Sequence, residues 1–161
     1  MIAVSLGRQA LLSLAFALLF SAPALAHCGQ RPQSLRTEPL QIATAQGVAR
    51  FTVEIADTGR TREIGLMCRT HMAANRGMLF DFKRPQFVQF WMKNTLIPLD
   101  MLFIGPDGRV VTIVANAKPM DQTPVPQPAV VALGVLEIAG GRAAALGIAS
   151  GDKVSERIFP Q

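Results

Sequence analysis

The stretch GLMCRTHMAANRGMLFDFKRPQFVQFWMKNTLIPLDMLFI, residues 65–104, decides the fold of this chain. It holds most of the chain's aromatic residues and its only tryptophan, Trp91. Apolar runs at residues 78–82, 87–92 and 101–104 predict short β-strands, because Arg-Pro and Ile-Pro pairs interrupt them. The polar groups between and beside these strands form the best candidate site in the sequence.

The sequence before this stretch predicts a hairpin and a helix. Residues 40–44 and 48–55 alternate apolar with polar or small side chains around a Gln-Gly turn, which is typical of two half-buried strands. Asp57 and Thr58 favour the start of a short helix that continues to about Met67. Such a helix would place Ile64 and Cys68 on one face.

The sequence after this stretch predicts further short elements. The Gly-Pro-Asp-Gly turn at residues 105–108 precedes a β-branched strand at 109–114. Later segments predict a strand at 130–139, a short alanine-rich helix at 140–148 and a last strand at 153–158.

The pattern as a whole favours a mainly β protein. Residues 117–128 contain four prolines and predict irregular chain rather than a regular ladder. Many short strands with turns between them indicate a single-domain barrel or sandwich of mostly antiparallel strands, with one or two short helices.

The N-terminus predicts a secretory signal peptide over residues 1–26. Arg8 precedes an apolar run at 10–20, which is too short for a membrane span, and Ala24-Leu25-Ala26 completes a cleavage site. A membrane anchor and a lipoprotein acylated at Cys28 are alternatives, although His27 is larger than the residue that a lipoprotein site requires. We expect residues 27–38 to form a flexible arm before a domain at 39–161, with no stable membrane anchor once the signal is cleaved.

Composition narrows the function classes. Cleavage leaves 161 minus 26, or 135 residues, which suits one domain. The net charge of +5 arises from scattered Lys and Arg, so neither the charge pattern nor a periplasmic or secreted location favours a nucleic-acid partner. A small molecule or a component of the cell envelope is the expected partner. The sequence does not decide the oligomeric state.

Cys28 and Cys68 would both enter an oxidising compartment. A disulfide between them is one interpretation, since it would tie the N-terminal arm to the domain. A buried Cys68 with an unpaired Cys28 is the alternative.

Several linked motifs resemble one known family. Gly-Leu-Met with Arg69, then Gly-Met-Leu-Phe, then Phe-Trp-Met-Lys-Asn-Thr and Ile-Pro-Leu-Asp, follow the pattern of the bacterial and archaeal family DUF192. Val-Leu-Glu at 135–137 and later glycine pairs resemble its closing pattern. The resemblance spans about residues 39–158 and implies a domain whose activity is unknown.

Trp91, Lys93 and Asn94 form the candidate binding surface. Side chains alternate along a strand, so Trp91 lies opposite Phe90 and Met92 and would face a cleft if those two enter the core. The alternatives are a core Trp91 and an Asn94 that only stabilises a turn.

Arg69, Asp100 and Glu137 are expected to orient this surface. A carboxylate inside an apolar strand destabilises the fold unless it is paired, so Asp100 and Glu137 would meet Lys93 or Arg69. The same network could instead lock loops together without binding a ligand.

Two further functions remain open, and no cofactor is expected. Asp100 or Glu137 could act as a general acid or base on envelope saccharides, although no catalytic motif, catalytic residue or metal site is identified. Copper handling is the third reading, with N-terminal His27, His71 and several methionines as ligands. Those methionines are Met67, Met72, Met78, Met92 and Met101.

Overall fold

The computed structural model describes residue 28 and residues 30–160. The predicted signal peptide and His27 lie outside the described residues. The elements in chain order are β1 (Thr37–Thr44), β2 (Gly47–Ala56), α1 (Gly59–Ile64), β3 (Arg76–Phe90), β4 (Leu99–Ile104), β5 (Val110–Ala117), β6 (Val125–Ala139), α2 (Arg142–Ala145) and β7 (Lys153–Ser155).

All seven strands belong to one mixed sheet, in the order β5-β4-β6-β3-β2-β1-β7. Neighbours are antiparallel except β2 and β3, which run parallel and are connected through α1. A bridge between Arg109 and Lys153 brings the two edges of the sheet together at one end. The sheet therefore curls into a half-barrel, which confirms the predicted mainly β class with two short helices.

The two faces of the sheet bury two different apolar clusters. One face carries the larger cluster, which includes Leu79, Leu102 and Leu136. The opposite face carries a second cluster, which includes Met78, Phe80 and Met101. Period-two alternation along β3, β4 and β6 produces this division, because consecutive side chains point to opposite faces.

The predicted hairpin is present as β1 and β2. Leu40 pairs with Phe51 and Ile42 with Ala49 in the antiparallel register, and all four side chains are buried. The last strand, β7, pairs with β1 but ends at Ser155 rather than at residue 158.

The first helix is shorter than predicted. Thr58 caps α1 and accepts a hydrogen bond from the Thr61 amide, as the sequence indicated, but the helix ends at Ile64. Gly65 stops it with φ 49° and ψ −133°, a conformation that suits glycine, and a Cβ there would lie 3.2 Å from the Phe80 ring. Cys68 follows with φ 66°, so the expectation of a shared helical face with Ile64 was wrong.

Residues 76–90 form one strand, where the sequence predicted two. A β-bulge between Asp81 and Gln86 accommodates the Arg-Pro pair without ending the strand. Asp81 stabilises the bulge by accepting a hydrogen bond from the Lys83 amide, at a positive φ of 65°, and an ion pair from the Lys83 ammonium.

The proline-rich segment is partly a strand. β6 begins at Val125, and Phe90 pairs with Val125 after a second register shift, so the predicted irregular region ends sooner than expected. Prolines are tolerated here because this part of β6 pairs only with β3, leaving its other edge without a neighbouring strand.

Within residues 30–160, no helix is long and apolar enough to cross a membrane.

Candidate functional site

A cleft of about 600 Å³ lies between α1 and the distal half of β3. It forms because β2 ends at Ala56 while β3 continues to Phe90, which leaves the edge of β3 without a neighbouring strand there. The chain after β2 turns into α1 and supplies the opposite wall. The lining comes from α1, the turn after it, β3 and the loop that follows β3, with Pro124 just before β6 and one residue from β6 itself.

The inner wall of the cleft is aromatic. Phe90 makes edge-to-face contacts with Phe80, Phe82 and Phe103, at centroid distances of 4.9, 6.2 and 5.9 Å. Such contacts hold each ring in one orientation. Leu66, from the turn after α1, is 2% exposed and lines the same wall. The cleft therefore offers a fixed apolar surface to a ligand.

Glu137 brings a carboxyl group into this apolar wall. Its position in β6 is in register with Met78 on one side and Met101 on the other, and both methionines are fully buried. Among the described residues, no hydrogen bond or ion pair reaches the Glu137 carboxyl. Burial raises the pKa of Glu137 to about 8, because the charged form loses its hydration without gaining a partner.

Trp91 stands at the rim of the cleft, directly after β3. It is 52% exposed, whereas Met92 is buried and Phe90 packs against the second cluster, so the alternation predicted for these three residues is present. The alternative of a core Trp91 was therefore wrong. An exposed indole beside an apolar wall is suited to stacking on a flat or apolar ligand group.

Lys93 lies next to Trp91 and lines the same cleft. Its ammonium group is 5.6 Å from the centroid of the indole ring, a cation–π distance. No ion pair to Lys93 occurs among the described residues, so the predicted contact with Asp100 or Glu137 is absent. Lys93 is free to meet a negatively charged group.

Arg62 supplies a second cation, from the opposite wall. Its guanidinium lies 5.4 Å from the centroid of the Phe82 ring and donates a 2.7 Å hydrogen bond to the Asp81 carbonyl. The sequence analysis missed Arg62 and Phe82. The alternation of Phe80 and Phe82 along β3 could have indicated that they share a face, but no sequence pattern placed α1 across them.

Asn94 has a turn role and lines a smaller neighbouring pocket of about 250 Å³. Its backbone has φ 54°, and its carbonyl accepts a 2.9 Å hydrogen bond from the Cys68 amide. The smaller pocket also contains Gln30 and Lys93, so Asn94 adjoins the main cleft rather than lining it.

A disulfide between Cys28 and Cys68 supports this corner of the site. The sulfur of Cys28 lies 3.6 Å from the Asn94 carbonyl oxygen. Residues 30–36, expected to belong to a flexible arm, contact the domain as well, because Gln33 donates to the carbonyls of Thr61 and Gly65. A sulfur in a disulfide cannot also carry a lipid, so this pairing is incompatible with acylation at Cys28.

Arg69 pairs with a residue that the sequence analysis did not single out. It forms a two-pronged ion pair with Glu54 of β2, at 2.6 and 2.8 Å, and donates to the Gln33 carbonyl at 2.7 Å. Glu54 also accepts from the Leu35 amide. The predicted contact of Arg69 with Asp100 or Glu137 was wrong, because Arg69 pairs with Glu54, and Met78 of β3 separates Glu54 from Glu137. Arg69 fastens the N-terminal segment instead.

Asp100 supports α2 and takes no part in the cleft. Its carboxylate accepts hydrogen bonds from the amides of Asn116, Gly141 and Ala143, at 2.8, 3.0 and 2.8 Å. It is in register with Ile138, so it faces the side of the sheet opposite Glu137. The predicted network of Arg69, Lys93, Asp100 and Glu137 therefore does not form, and Asp100 and Glu137 do not make an acid and base pair.

The residues proposed for copper are dispersed. Met78, Met92 and Met101 pack in the second apolar cluster, while His71 is exposed. Among the described residues, no group of three or more His, Cys, Asp or Glu side chains could hold a metal ion.

Two solved structures resemble this one in sequence and fold. A Novosphingobium aromaticivorans protein of unknown function is 42% identical, with a TM-score of 0.73, over 81% of this chain and 96% of its own. A Sinorhizobium meliloti protein described as a candidate transcription regulator is 40% identical, also with a TM-score of 0.73, over 78% of this chain and 97% of its own. No curated protein matches the chain.

The family model DUF192, described as an uncharacterised ACR, matches residues 41–156. The match covers every strand except the first residues of β1 and includes the whole cleft wall from α1 to Glu137. With more than half of its length matched, this chain belongs to the DUF192 family.

Proposed function

We propose that this protein binds a small, partly apolar molecule in the cleft between α1 and β3, and that Glu137 holds a polar group of that molecule. The observation that carries the proposal is the Glu137 carboxyl, buried at 4% exposure on a cleft wall with no partner among the described residues.

A carboxyl in this position weakens the fold. Desolvation without a partner destabilises a protein, and an apolar residue between Met78 and Met101 would avoid that penalty. Residues that lower stability and face a cavity are typical of binding sites, where a ligand supplies the missing partner. Asp100 and Glu54 differ from Glu137 in this respect, because protein groups satisfy both.

The other side chains that line the cleft indicate the size and chemical class of the ligand. Trp91 and the phenylalanine wall suit an apolar or flat portion, and a protonated Glu137 can donate a hydrogen bond to an acceptor. The volume of about 600 Å³ is within the range of small-molecule sites. A monosaccharide-sized envelope fragment and a small aromatic compound both satisfy this description.

Trp91 provides the test, because intrinsic indole emission of this chain comes from that residue alone. We would titrate the folded protein with small aromatic compounds and with soluble envelope saccharides, and measure quenching of Trp91 by acrylamide at each step. Protection from acrylamide by a bound compound is the expected result.

A matched pair of variants tests whether the change in Trp91 quenching comes from binding in the cleft. Glu137→Met removes the carboxyl group while keeping the length of the side chain, and should weaken binding at least tenfold. Glu38→Met makes the same change at a position that does not line the cleft, and should leave binding unchanged. An accessible Trp91 that no compound protects, in a protein that unfolds cooperatively, would exclude the proposal.

We also propose that the domain acts outside the cytoplasm. The signal-like sequence at residues 1–26 and the disulfide support this, since disulfides persist mainly in oxidising compartments. N-terminal sequencing of the protein from fractionated cells should give a mature chain beginning at His27 in the periplasm or medium. An intact Met1 in the cytoplasm would exclude secretion.

A further inference from the structure

The rim of the cleft carries two positively charged side chains, whereas its inner wall is mainly apolar. Arg62 and Lys93 line the cleft from opposite walls, and each lies against an aromatic ring, Phe82 and Trp91 respectively. Neither cation has an ion pair among the described residues. Among the described residues that line the cleft, Glu63 is the acidic residue besides Glu137, and it is exposed on α1.

From this arrangement we infer that the natural ligand is an amphipathic organic anion, whose acidic group lies between Arg62 and Lys93 and whose apolar part contacts the phenylalanine wall. The inference rests on the proposed function and narrows it to one ligand class. The aromatic rings hold both cations in position, so the two side chains lose less entropy on binding an anion than free surface lysines would.

The interior of the cleft is compatible with an anion. A protonated Glu137 adds no negative charge and can donate to an oxygen of the ligand. The charged groups that share the cleft with Glu137 are Arg62, Glu63 and Lys93, and their sum is positive. This positive sum disfavours a cationic ligand.

Two dyes with the same ring system separate charge from hydrophobicity. 8-Anilinonaphthalene-1-sulfonate carries one sulfonate, whereas N-phenyl-1-naphthylamine is neutral. Energy transfer from Trp91 to either dye reports binding near the rim. We expect the sulfonate to bind at least tenfold more tightly than the neutral dye at low salt, and its affinity to fall as sodium chloride is raised, while that of the neutral dye does not.

Charge-removing variants then identify the site of the sulfonate. Lys93→Met should weaken binding of the sulfonate at least fivefold and leave the neutral dye unchanged. Lys118→Met removes an equal charge from an exposed position that does not line the cleft, and should change neither affinity. Cooperative urea unfolding of each variant excludes dye binding to a partly unfolded chain.

The outcomes of these experiments distinguish the anion inference from the proposed binding cleft on which it rests. Equal affinity for both dyes, unaffected by Lys93→Met, would overturn the anion inference and leave the binding cleft intact. Failure of both dyes to bind the folded protein would overturn the binding cleft as well. Binding to anionic lipid vesicles without binding of the soluble sulfonate would exclude a small ligand and indicate a membrane-facing surface.

Discussion

Glu54 and Glu137 face the same side of the sheet, and both are in register with Met78, which lies between them on β3. Glu54 is fully satisfied by Arg69 and the Leu35 amide, whereas no partner of Glu137 occurs among the described residues. One position therefore stabilises the fold, and the other destabilises it at neutral pH. This contrast is the basis for assigning a binding role to Glu137 and a structural role to Glu54.

The raised pKa of Glu137 predicts a specific pH dependence of stability. Folding raises that pKa from 4.5 to about 8, so the folded state keeps a proton that the unfolded chain releases between these values. The free energy of unfolding should then fall as pH rises through this window, by up to about 1.4 kcal/mol per pH unit. Urea unfolding at intervals from pH 5 to 8 measures the slope.

Glu137→Gln should flatten that slope and stabilise the protein most at pH 8, because glutamine does not titrate. The matched variant Glu63→Gln changes an exposed residue and should keep the slope of the original protein. Parallel slopes for the protein and for Glu137→Gln would show that Glu137 is ionised in the folded state.

Loss of Arg69 should destabilise the fold by about 3 kcal/mol, because Arg69→Met leaves the Glu54 carboxylate buried and unpaired. The double variant Arg69→Met with Glu54→Gln should recover part of this loss, since the unpaired charge is removed. Urea unfolding of the original protein, both single variants and the double variant gives the free energies for a double-mutant cycle.

Arg157→Met is the control for that cycle, since Arg157 is exposed and pairs at 3.1 Å with Glu38 at the surface. It should change stability by less than about 1 kcal/mol. Equal effects of the variants at Arg69 and Arg157 would argue against a structural role for the buried pair.

Asp100→Ala should destabilise the protein by about 3 kcal/mol or more, because three backbone amides lose a charged acceptor. Asp107→Ala removes a carboxylate that accepts from one exposed amide and should have a much smaller effect. Acrylamide quenching of Trp91 should be the same in both variants, since Asp100 lies on the face opposite the cleft. A change in Trp91 accessibility only in Asp100→Ala would connect α2 to the site.

The disulfide should stabilise the domain by about 3 to 4 kcal/mol, as a chain-entropy estimate gives for a closed loop of this size. Its cysteines are 40 residues apart in sequence. The variant with both cysteines changed to serine should show this loss, together with greater quenching of Trp91, because Asn94 loses its contact with the bridge. Reducing agent should have the same effect on the original protein and none on the variant.

Local sequence patterns determined much of this architecture. Alternation predicted the β1 and β2 hairpin and the opposite directions of Trp91 and its neighbours, because a strand fixes the direction of each side chain relative to the next. The residue types Gly-Pro-Asp-Gly predicted the turn in which the Gly108 amide donates to the Gly105 carbonyl. Thr58 gave the start of α1 correctly. The linked motifs between residues 65 and 104 were sufficient to indicate the family.

The predicted ends of strands and helices were less accurate where contacts between residues distant in sequence override local sequence preferences. Arg84 and Pro85 predicted a break, but pairing with β6 and the carboxylate of Asp81 keep β3 continuous through a bulge. The predicted helix ran too far because Gly65 ends it at a positive φ of 49°. The Phe80 ring packs closely beneath Gly65, a tertiary contact that the sequence does not show.

By itself, the sequence determined which residues are polar within apolar strands, since that property depends only on composition and period. Only the tertiary structure decided which hydrogen-bond or ion-pair partner each of them has. Strand order and register bring together residues that are far apart in the sequence. Arg69, from the segment between α1 and β3, pairs with Glu54 of β2. Backbone amides at the start of α2 donate to Asp100, while Glu137 lines the cleft between α1 and β3 without a partner among the described residues.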